Sequence, residues 1–281
     1  MKTKKQRIHK ISDSKPVLAG ILNAVVCIVL IQLMAGIFQA LLMAVANPGQ
    51  TPYGAIPATF IMLYLYKRWY RPEFEGALSG GHPEYGLKLG LPILINWVTV
   101  PFMFILTPLQ FGMPTVVTVT TSLVAGCMEE TVFRSAVIST IMRKCRSERT
   151  IMTAVIVSSV LFGLAHAVNG VAGANIGATI LQMFEAGLLG LFLGALYLRC
   201  GNLWPCIIIH AVNDIIAMTN VSGITENGIV TGGLSWWSGV DFATCLAIGI
   251  IGIRMIRPEV RADIMEIWKK KWTVPVREES E

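Results

Sequence analysis

Ionisable side chains that could carry out acid–base chemistry lie within three of the most apolar segments of this chain. There are six of them: Glu129, Glu130, Arg134, His166, His210 and Asp214. Such a side chain is costly inside an apolar segment unless it is paired, so its presence indicates a functional site. Carboxylates and imidazoles can activate water and stabilise a developing charge, which is the chemistry of amide hydrolysis.

The first segment carries two adjacent acids and an arginine. On a helix, Glu130 and Arg134 are four residues apart and lie on one face, where an acid can form an ion pair with a base one turn later. Glu129 points about 100° away from Glu130. We therefore expect Glu130 to be neutralised and Glu129 to remain available as a general base. A purely structural role, in which all three residues only hold helices together, remains open.

The other two segments supply the imidazoles. His166 follows Phe162 by one helical turn, a position where a histidine can be either a structural hydrogen-bond partner or a catalyst. His210 and Asp214 are also four residues apart, so the carboxylate can hold the imidazole in one tautomer. Asn213 is an alternative partner for His210.

A further acid, Glu185, lies in a fourth apolar segment and has no cation three or four residues away. It is either a packing acid or part of the site.

The depths of the site residues can be compared along their helices. At about 1.5 Å per residue, Glu129 and His166 lie roughly 20 Å from the cytosolic ends of their helices, and His210 to Asp214 lie about 10 to 16 Å from theirs. These depths allow the polar residues to surround one pocket.

Composition indicates which elements position these residues. Only 14% of the 281 residues are charged, against about 25% in soluble domains, and 54% are hydrophobic. A soluble enzyme and a disordered chain are excluded. We predict an all-α, polytopic membrane helix bundle formed as a single domain over residues 1–281, with its motif core at about 114–220. Eight membrane spans are expected, near 17–46, 52–66, 89–109, 114–142, 151–168, 174–198, 203–220 and 237–256.

The basic residues orient this bundle. With eight spans, every lysine and arginine except Arg134 falls on the side of the N-terminus, so both termini should be cytosolic. The net charge of +6 then reflects cytosolic loops facing anionic lipid, and no nucleic-acid partner is expected. Residues 1–15 form a basic cytosolic tail. Residues 258–281 form a juxtamembrane tail, in which an interfacial helix is predicted.

The chain contains three motifs in this order: Glu129-Glu130-x-x-x-Arg134, Phe162-x-x-x-His166 and His210-x-x-x-Asp214. Together they resemble the three motifs of the CPBP family, EExxxR, FxxxH and HxxxN/D. The family includes the CaaX prenyl endopeptidases and bacterial Abi-like membrane proteins of bacteriocin processing and self-immunity. The resemblance covers Cys127 to about Ile216.

The resemblance implies an intramembrane endopeptidase of the glutamate or metalloprotease type. In such an enzyme Glu129 and His166 would activate water, and His210 and Asp214 would stabilise the oxyanion. Supporting roles are expected for Glu130, Arg134, Phe162 and Asn213.

This chain has Asp214 where the CaaX enzymes usually have asparagine. A carboxylate cannot donate a hydrogen bond to an oxyanion, so Asp214 must be protonated, orient His210 or bind a metal. The four residues of the predicted catalytic set are also suitable Zn²⁺ ligands, so zinc is a cofactor candidate: Glu129, His166, His210 and Asp214.

A membrane-associated or lipidated peptide is the expected substrate, reached from the bilayer in which the protein sits. Short loops favour a bacterial plasma membrane and, with it, a bacteriocin or pheromone precursor or the tail of a membrane protein as substrate. The alternative is a non-enzymatic immunity protein that binds a toxin or its receptor. A small cation carrier that uses acids as a relay is a further rival.

Overall fold

The computed structural model describes residues 11–46, 53–70, 73–106, 115–144, 147–218, 233–234 and 236–272. Within these ranges the chain is helical and contains no β-strand, which confirms the all-α fold class. Residues 1–10 of the predicted basic tail and 273–281 of the predicted juxtamembrane tail lie outside the described ranges.

A helix occupies each of the eight segments predicted to cross the membrane. In chain order, with the short helices included, the helices are α1 (Pro16–Val45), α2 (Ala55–Trp69), α3 (Pro83–Leu89), α4 (Leu94–Leu106), α5 (Val116–Met142), α6 (Glu148–Ala165), α7 (Ala167–Val171), α8 (Ile176–Cys200), α9 (Trp204–Met218), α10 (Trp236–Met255) and α11 (Arg261–Trp272).

Five of these segments are long and apolar enough to span a bilayer: α1, α5, α6 continued by α7, α8 and α10. The protein is therefore a multi-pass membrane protein. In the described residues α2 and α9 have 15 residues each and α4 has 13. A helix of 15 residues covers only about 22 Å of the roughly 30 Å hydrocarbon core. The predicted count of eight crossings and the cytosolic location of both termini stay predictions.

Small residues bring the helices of the motif core close together. A Cβ atom on Gly190 of α8 would lie 3.1 Å from Ser159 Cα and 3.2 Å from Phe162 Cδ1, both of α6. A Cβ atom on Gly126 of α5 would lie 3.0 Å from Ile207 O of α9. Because glycine has no side chain, α6 packs directly on α8 and α5 packs directly on α9. These contacts set the spacing of the helices that carry the three motifs.

A π-helix interrupts α5 directly after the two acids. It runs over Thr131–Ile138, and all eight of its side chains are buried. From α6, Ser158 donates a hydrogen bond of 2.8 Å to the backbone oxygen of Phe133. Short π-helical segments inside α-helices occur frequently at functional sites. The π-helix therefore marks the part of α5 that holds Arg134.

The C-terminal helix α11 packs on the body of the protein. Trp268 is buried and its Nε1 donates to Leu198 O at 3.1 Å, and the Trp272 ring lies 4.5 Å from the Phe74 ring. The predicted helix in the juxtamembrane segment is present. Its apolar residues Ile264 and Trp268 contact protein, because both are buried in the described structure.

Lys271 of α11 is buried among backbone oxygens of the loop after α2. Its side chain is only 1% exposed, and Nζ donates to Gly76 O and Ser79 O, both at 2.9 Å. Burial lowers the pKa of Lys271 to about 8 from its ordinary value of 10.5, although the Glu75 carboxylate attracts the charged form. A neutral amine can still donate to both oxygens.

This shift predicts a pH-dependent stability. Between pH 8 and 10.5 the unfolded chain holds a proton that the folded chain has released, so the free energy of unfolding should rise with pH. We expect the wild type to gain stability relative to Lys271→Met over this range, by at most about 1.4 kcal/mol per pH unit. Thermal unfolding of both proteins in detergent measures it. Parallel pH curves would contradict the assignment.

Candidate active site

The centre of the site is a buried carboxylate held between two cationic or proton-donating groups. Glu130 is fully buried. Its Oε1 accepts a hydrogen bond of 2.8 Å from His210 Nδ1, and its Oε2 lies 3.1 Å from Arg134 Nε in an ion pair. The structure thus contains the Glu130–Arg134 pair that the spacing predicts. It also connects α5 to the imidazole of α9.

Arg134 is held by charge and by an aromatic ring. Its guanidinium carbon lies 4.5 Å from the centre of the Phe162 ring, a cation–π contact. In the described part of the chain none of its side-chain nitrogens meets hydrogen-bond geometry with an acceptor. The same Phe162 ring contacts both imidazoles edge to face, at 5.1 Å from His166 and 5.6 Å from His210. Phe162 therefore contacts the arginine and both histidines of the three motifs.

The second nitrogen of His210 faces two carboxylates. His210 Nε2 lies 3.5 Å from Asp214 Oδ2 and 3.7 Å from Glu129 Oε2. The carboxylate side chains are 25% exposed for Glu129 and 26% for Asp214, whereas His210 is 3% exposed. Because the Nδ1 hydrogen points to Glu130, Nε2 is the atom of His210 that can act on a substrate.

His166 closes α6 and begins the break before α7. Its Nδ1 lies 3.0 Å from Phe162 O, and since a carbonyl oxygen only accepts, Nδ1 must carry the hydrogen. The neutral ring then has a lone pair on Nε2, as a base requires. No hydrogen bond or ion pair joins His166 to Glu129 within the described residues.

Two expected partnerships differ in the structure. His210 Nδ1 donates to Glu130 at 2.8 Å, while Asp214, which the spacing predicts to hold the tautomer, lies 3.5 Å from Nε2. Asn213 was an alternative partner of His210, but its Oδ1 accepts a hydrogen bond of 2.9 Å from Asn96 Nδ2.

Sequence reasoning missed Asn96 and Thr244. Thr244 Oγ1 lies 3.1 Å from Asn96 Oδ1, so a polar side chain from α10 contacts one from α4, which contacts Asn213 of α9. The available signal was a neutral polar residue inside an otherwise apolar segment.

The remaining acid, Glu185, lies on α8. Its Oε1 is buried, and the described residues provide no hydrogen-bond partner for it.

Three of the four predicted zinc ligands meet, since His210 Nε2 lies 3.5 Å from Asp214 Oδ2 and 3.7 Å from Glu129 Oε2. Across the ranges that the structure describes, no group of three or more His, Cys, Asp or Glu side chains is placed to hold a metal ion. His210 Nδ1 and His166 Nδ1 are both used in hydrogen bonds, which leaves Nε2 of each ring as the nitrogen that could bind a metal. Zinc stays a prediction, and no chemical step is assigned to a metal.

These features define a class of protein, a multi-pass helical membrane protein with a polar acid–imidazole site inside the bundle. The family described as type II CAAX prenyl endopeptidase, Rce1-like, matches residues 111–216. The resemblance to the CPBP family is thereby confirmed, and residues 111–216 form an Rce1-like domain of this family of intramembrane endopeptidases. No curated protein and no solved structure matches the chain.

The buried pair gives a prediction about stability. Arg134→Met leaves the Glu130 carboxylate buried without its cation and should lower the free energy of unfolding by about 3 to 5 kcal/mol. Glu130→Gln combined with Arg134→Met should lose less than Arg134→Met alone, because no unpaired charge remains. Thermal unfolding in detergent measures both.

The exposed Arg149 at the start of α6 provides a matched control, since Arg149→Met should change stability by no more than about 0.5 kcal/mol. Equal losses for Arg134→Met and Arg149→Met would show that the ion pair contributes nothing.

Proposed function

We propose that this protein is an intramembrane endopeptidase that hydrolyses a peptide bond of a membrane-associated or lipidated peptide with water activated by Glu129 and His166. One observation carries the proposal. A partly accessible carboxylate, Glu129, lies beside the Nε2 face of His210, whose other nitrogen is held by a fully buried acid–arginine pair. The family match over residues 111–216 supports the same reaction.

The proposed reaction begins with water between Glu129 and the substrate. The Glu129 carboxylate, assisted by the free Nε2 of His166, accepts a proton from water, and the hydroxide oxygen forms a bond to the carbonyl carbon. The carbonyl electron pair moves to oxygen. When the oxyanion collapses, the carbon–nitrogen bond breaks and the proton held at Glu129 passes to the leaving amine.

His210 is the proposed donor to the oxyanion. The Glu130 carboxylate accepts from Nδ1 at 2.8 Å, and in the protonated ring Nε2–H can donate to the developing negative charge. Arg134 offsets the charge of Glu130 from the opposite side, at 3.1 Å. Asp214 at 3.5 Å then orients His210 Nε2 and does not itself donate.

The proposed substrate reaches the site from the bilayer. Because α5 and α6 are two of the five segments apolar enough to cross a membrane and α9 packs on α5, a lipidated or amphipathic peptide can remain in lipid while its scissile bond approaches Glu129. We propose a bacterial plasma membrane as the location and a bacteriocin or pheromone precursor, or a membrane-protein tail, as the substrate.

Replacement of the general base tests this function. Glu129→Gln should reduce the rate of precursor cleavage by about 10²- to 10⁴-fold, because the amide cannot accept the proton of water. The measurement is cleavage of tagged precursor peptides by purified protein in liposomes. Glu266→Gln is the control, since it changes an acid on α11 that is 68% exposed, and it should cleave at the wild-type rate.

The same variant separates hydrolysis from immunity. Two results together would favour immunity: the wild type cleaves no precursor, and Glu129→Gln at equal protein level still protects cells from the toxin. The protein would then bind the toxin or its receptor and not hydrolyse a peptide. Parallel loss of cleavage and protection supports hydrolysis.

Chelation tests the proposed metal-free steps. Treatment with 1,10-phenanthroline should change the cleavage rate by less than about twofold, because the described side chains do not gather three metal ligands. Loss of cleavage that Zn²⁺ restores would show that the predicted ligands close around an ion in the working enzyme.

A further inference from the structure

A chain of amide and hydroxyl groups connects two outer helices to the residue that precedes Asp214. Asn96 of α4 donates from Nδ2 to Asn213 Oδ1 at 2.9 Å. The single hydroxyl hydrogen of Thr244, on α10, is shared between two acceptors, Asn96 Oδ1 at 3.1 Å and Asp241 O at 2.8 Å. We call these three residues, Asn96, Asn213 and Thr244, the amide relay.

The relay fixes which end of the Asn213 carboxamide is free. Since Asn213 Oδ1 accepts from Asn96, both hydrogens on Asn213 Nδ2 are left for other acceptors, and none is found in the described part of the protein. Asn213 is half-buried. Asn213 lies three residues after His210, which places the two on neighbouring positions of one helix surface.

An oxyanion beside His210 needs more than one donor. Asp214 is a carboxylate beside His210 Nε2, and an ionised carboxylate only accepts hydrogen bonds. Oxyanions of acyl transfer are commonly held by more than one donor, and the loss of one costs about 10²- to 10³-fold in kcat. His210 Nε2 alone supplies a single N–H.

We propose that the Asn213 carboxamide is the second oxyanion donor, held in its donating orientation by Asn96 and Thr244 as positioning residues. The inference rests on the proposed function. In the tetrahedral intermediate, the carbonyl electron pair on oxygen accepts from His210 Nε2–H and Asn213 Nδ2–H. It re-forms the C=O bond as the amine leaves, so no proton is consumed at Asn213.

The relay also extends the site beyond the matched family domain. Asn96 and Thr244 lie outside residues 111–216, so α4 and α10 contribute to the orientation of a group inside that domain. The flanking helices then have a function in catalysis besides enclosing the bundle.

Substitutions of Asn213 test the donor. Asn213→Asp keeps the acceptor for Asn96 but removes both N–H groups, and Asn213→Leu removes both without adding charge. Each should lower kcat for a peptide that the wild type cleaves by about 10²- to 10³-fold, with KM changed by less than about threefold. A phosphonamidate analogue of that peptide, which carries the tetrahedral oxyanion, should lose affinity by a similar factor.

Substitutions of the positioning residues test the relay. Asn96→Leu and Thr244→Val should lower kcat by smaller factors, about tenfold and a few-fold, because Asn213 keeps its N–H groups but loses its fixed orientation. Thr244→Ser keeps the hydroxyl and should restore the rate. Asn175→Asp is a matched control: Asn175 caps α8 by accepting from Ala178 N at 3.1 Å, which aspartate can also do, so the rate should be unchanged.

The outcomes separate the two proposals. If Glu129→Gln is inactive while both Asn213 variants keep the wild-type kcat and analogue affinity, the inference is wrong and the proposed function stands. If Glu129→Gln cleaves as fast as the wild type, or the wild type cleaves nothing, the proposed function is wrong and the inference fails with it. Thermal unfolding near that of the wild type shows that a variant is folded.

Discussion

The structure depends on the burial of one negative charge. Glu130 lies in the interior of a membrane protein with no exposure, where an isolated carboxylate would be very costly. Two groups make it tolerable, the Arg134 guanidinium at 3.1 Å and the His210 Nδ1–H at 2.8 Å. Since the arginine comes from the π-helix and the histidine from α9, satisfying this charge fixes two segments relative to each other. The chemistry of Glu129, the residue directly before Glu130, follows from that constraint, because Glu130 already pairs with Arg134.

Close helix packing delivers the partners to this charge. Gly126 allows α9 to approach α5, and Gly190 allows α8 to approach α6, so that Phe162 reaches both the Arg134 guanidinium and the two imidazoles. In lipid there is little hydrophobic gain from helix association, so such contacts rely on fit and on polar pairing. The site and the scaffold are therefore stabilised by the same contacts.

Local spacing made part of this arrangement predictable. The Glu130–Arg134 pair and the apolar helices follow from residue periodicity, which depends only on the geometry of a single helix. The contact of Glu130 with His210 and the contact of Asn96 with Asn213 join residues 80 and 117 positions apart, and no helical period relates them. The docking of α11 was likewise missed in part, since its apolar face could equally have met lipid. The π-helix was not predictable either, because eight residues are too few to show its periodicity in the sequence.

That π-helix has a consequence for the far end of α5. Beyond it, Ser139 hydrogen-bonds Tyr197 at 3.0 Å and Thr140 hydrogen-bonds Tyr66 at 2.7 Å, while before it the two acids face α9. A π-helical turn contains more residues than an α-helical turn. It therefore changes the direction in which side chains after the π-helix point relative to those before it. Deletion of one residue from the π-helix would rotate the rest of α5 by about 100° relative to the two acids. The helix could then no longer place Ser139 and Thr140 against the tyrosine hydroxyls while the acids face α9.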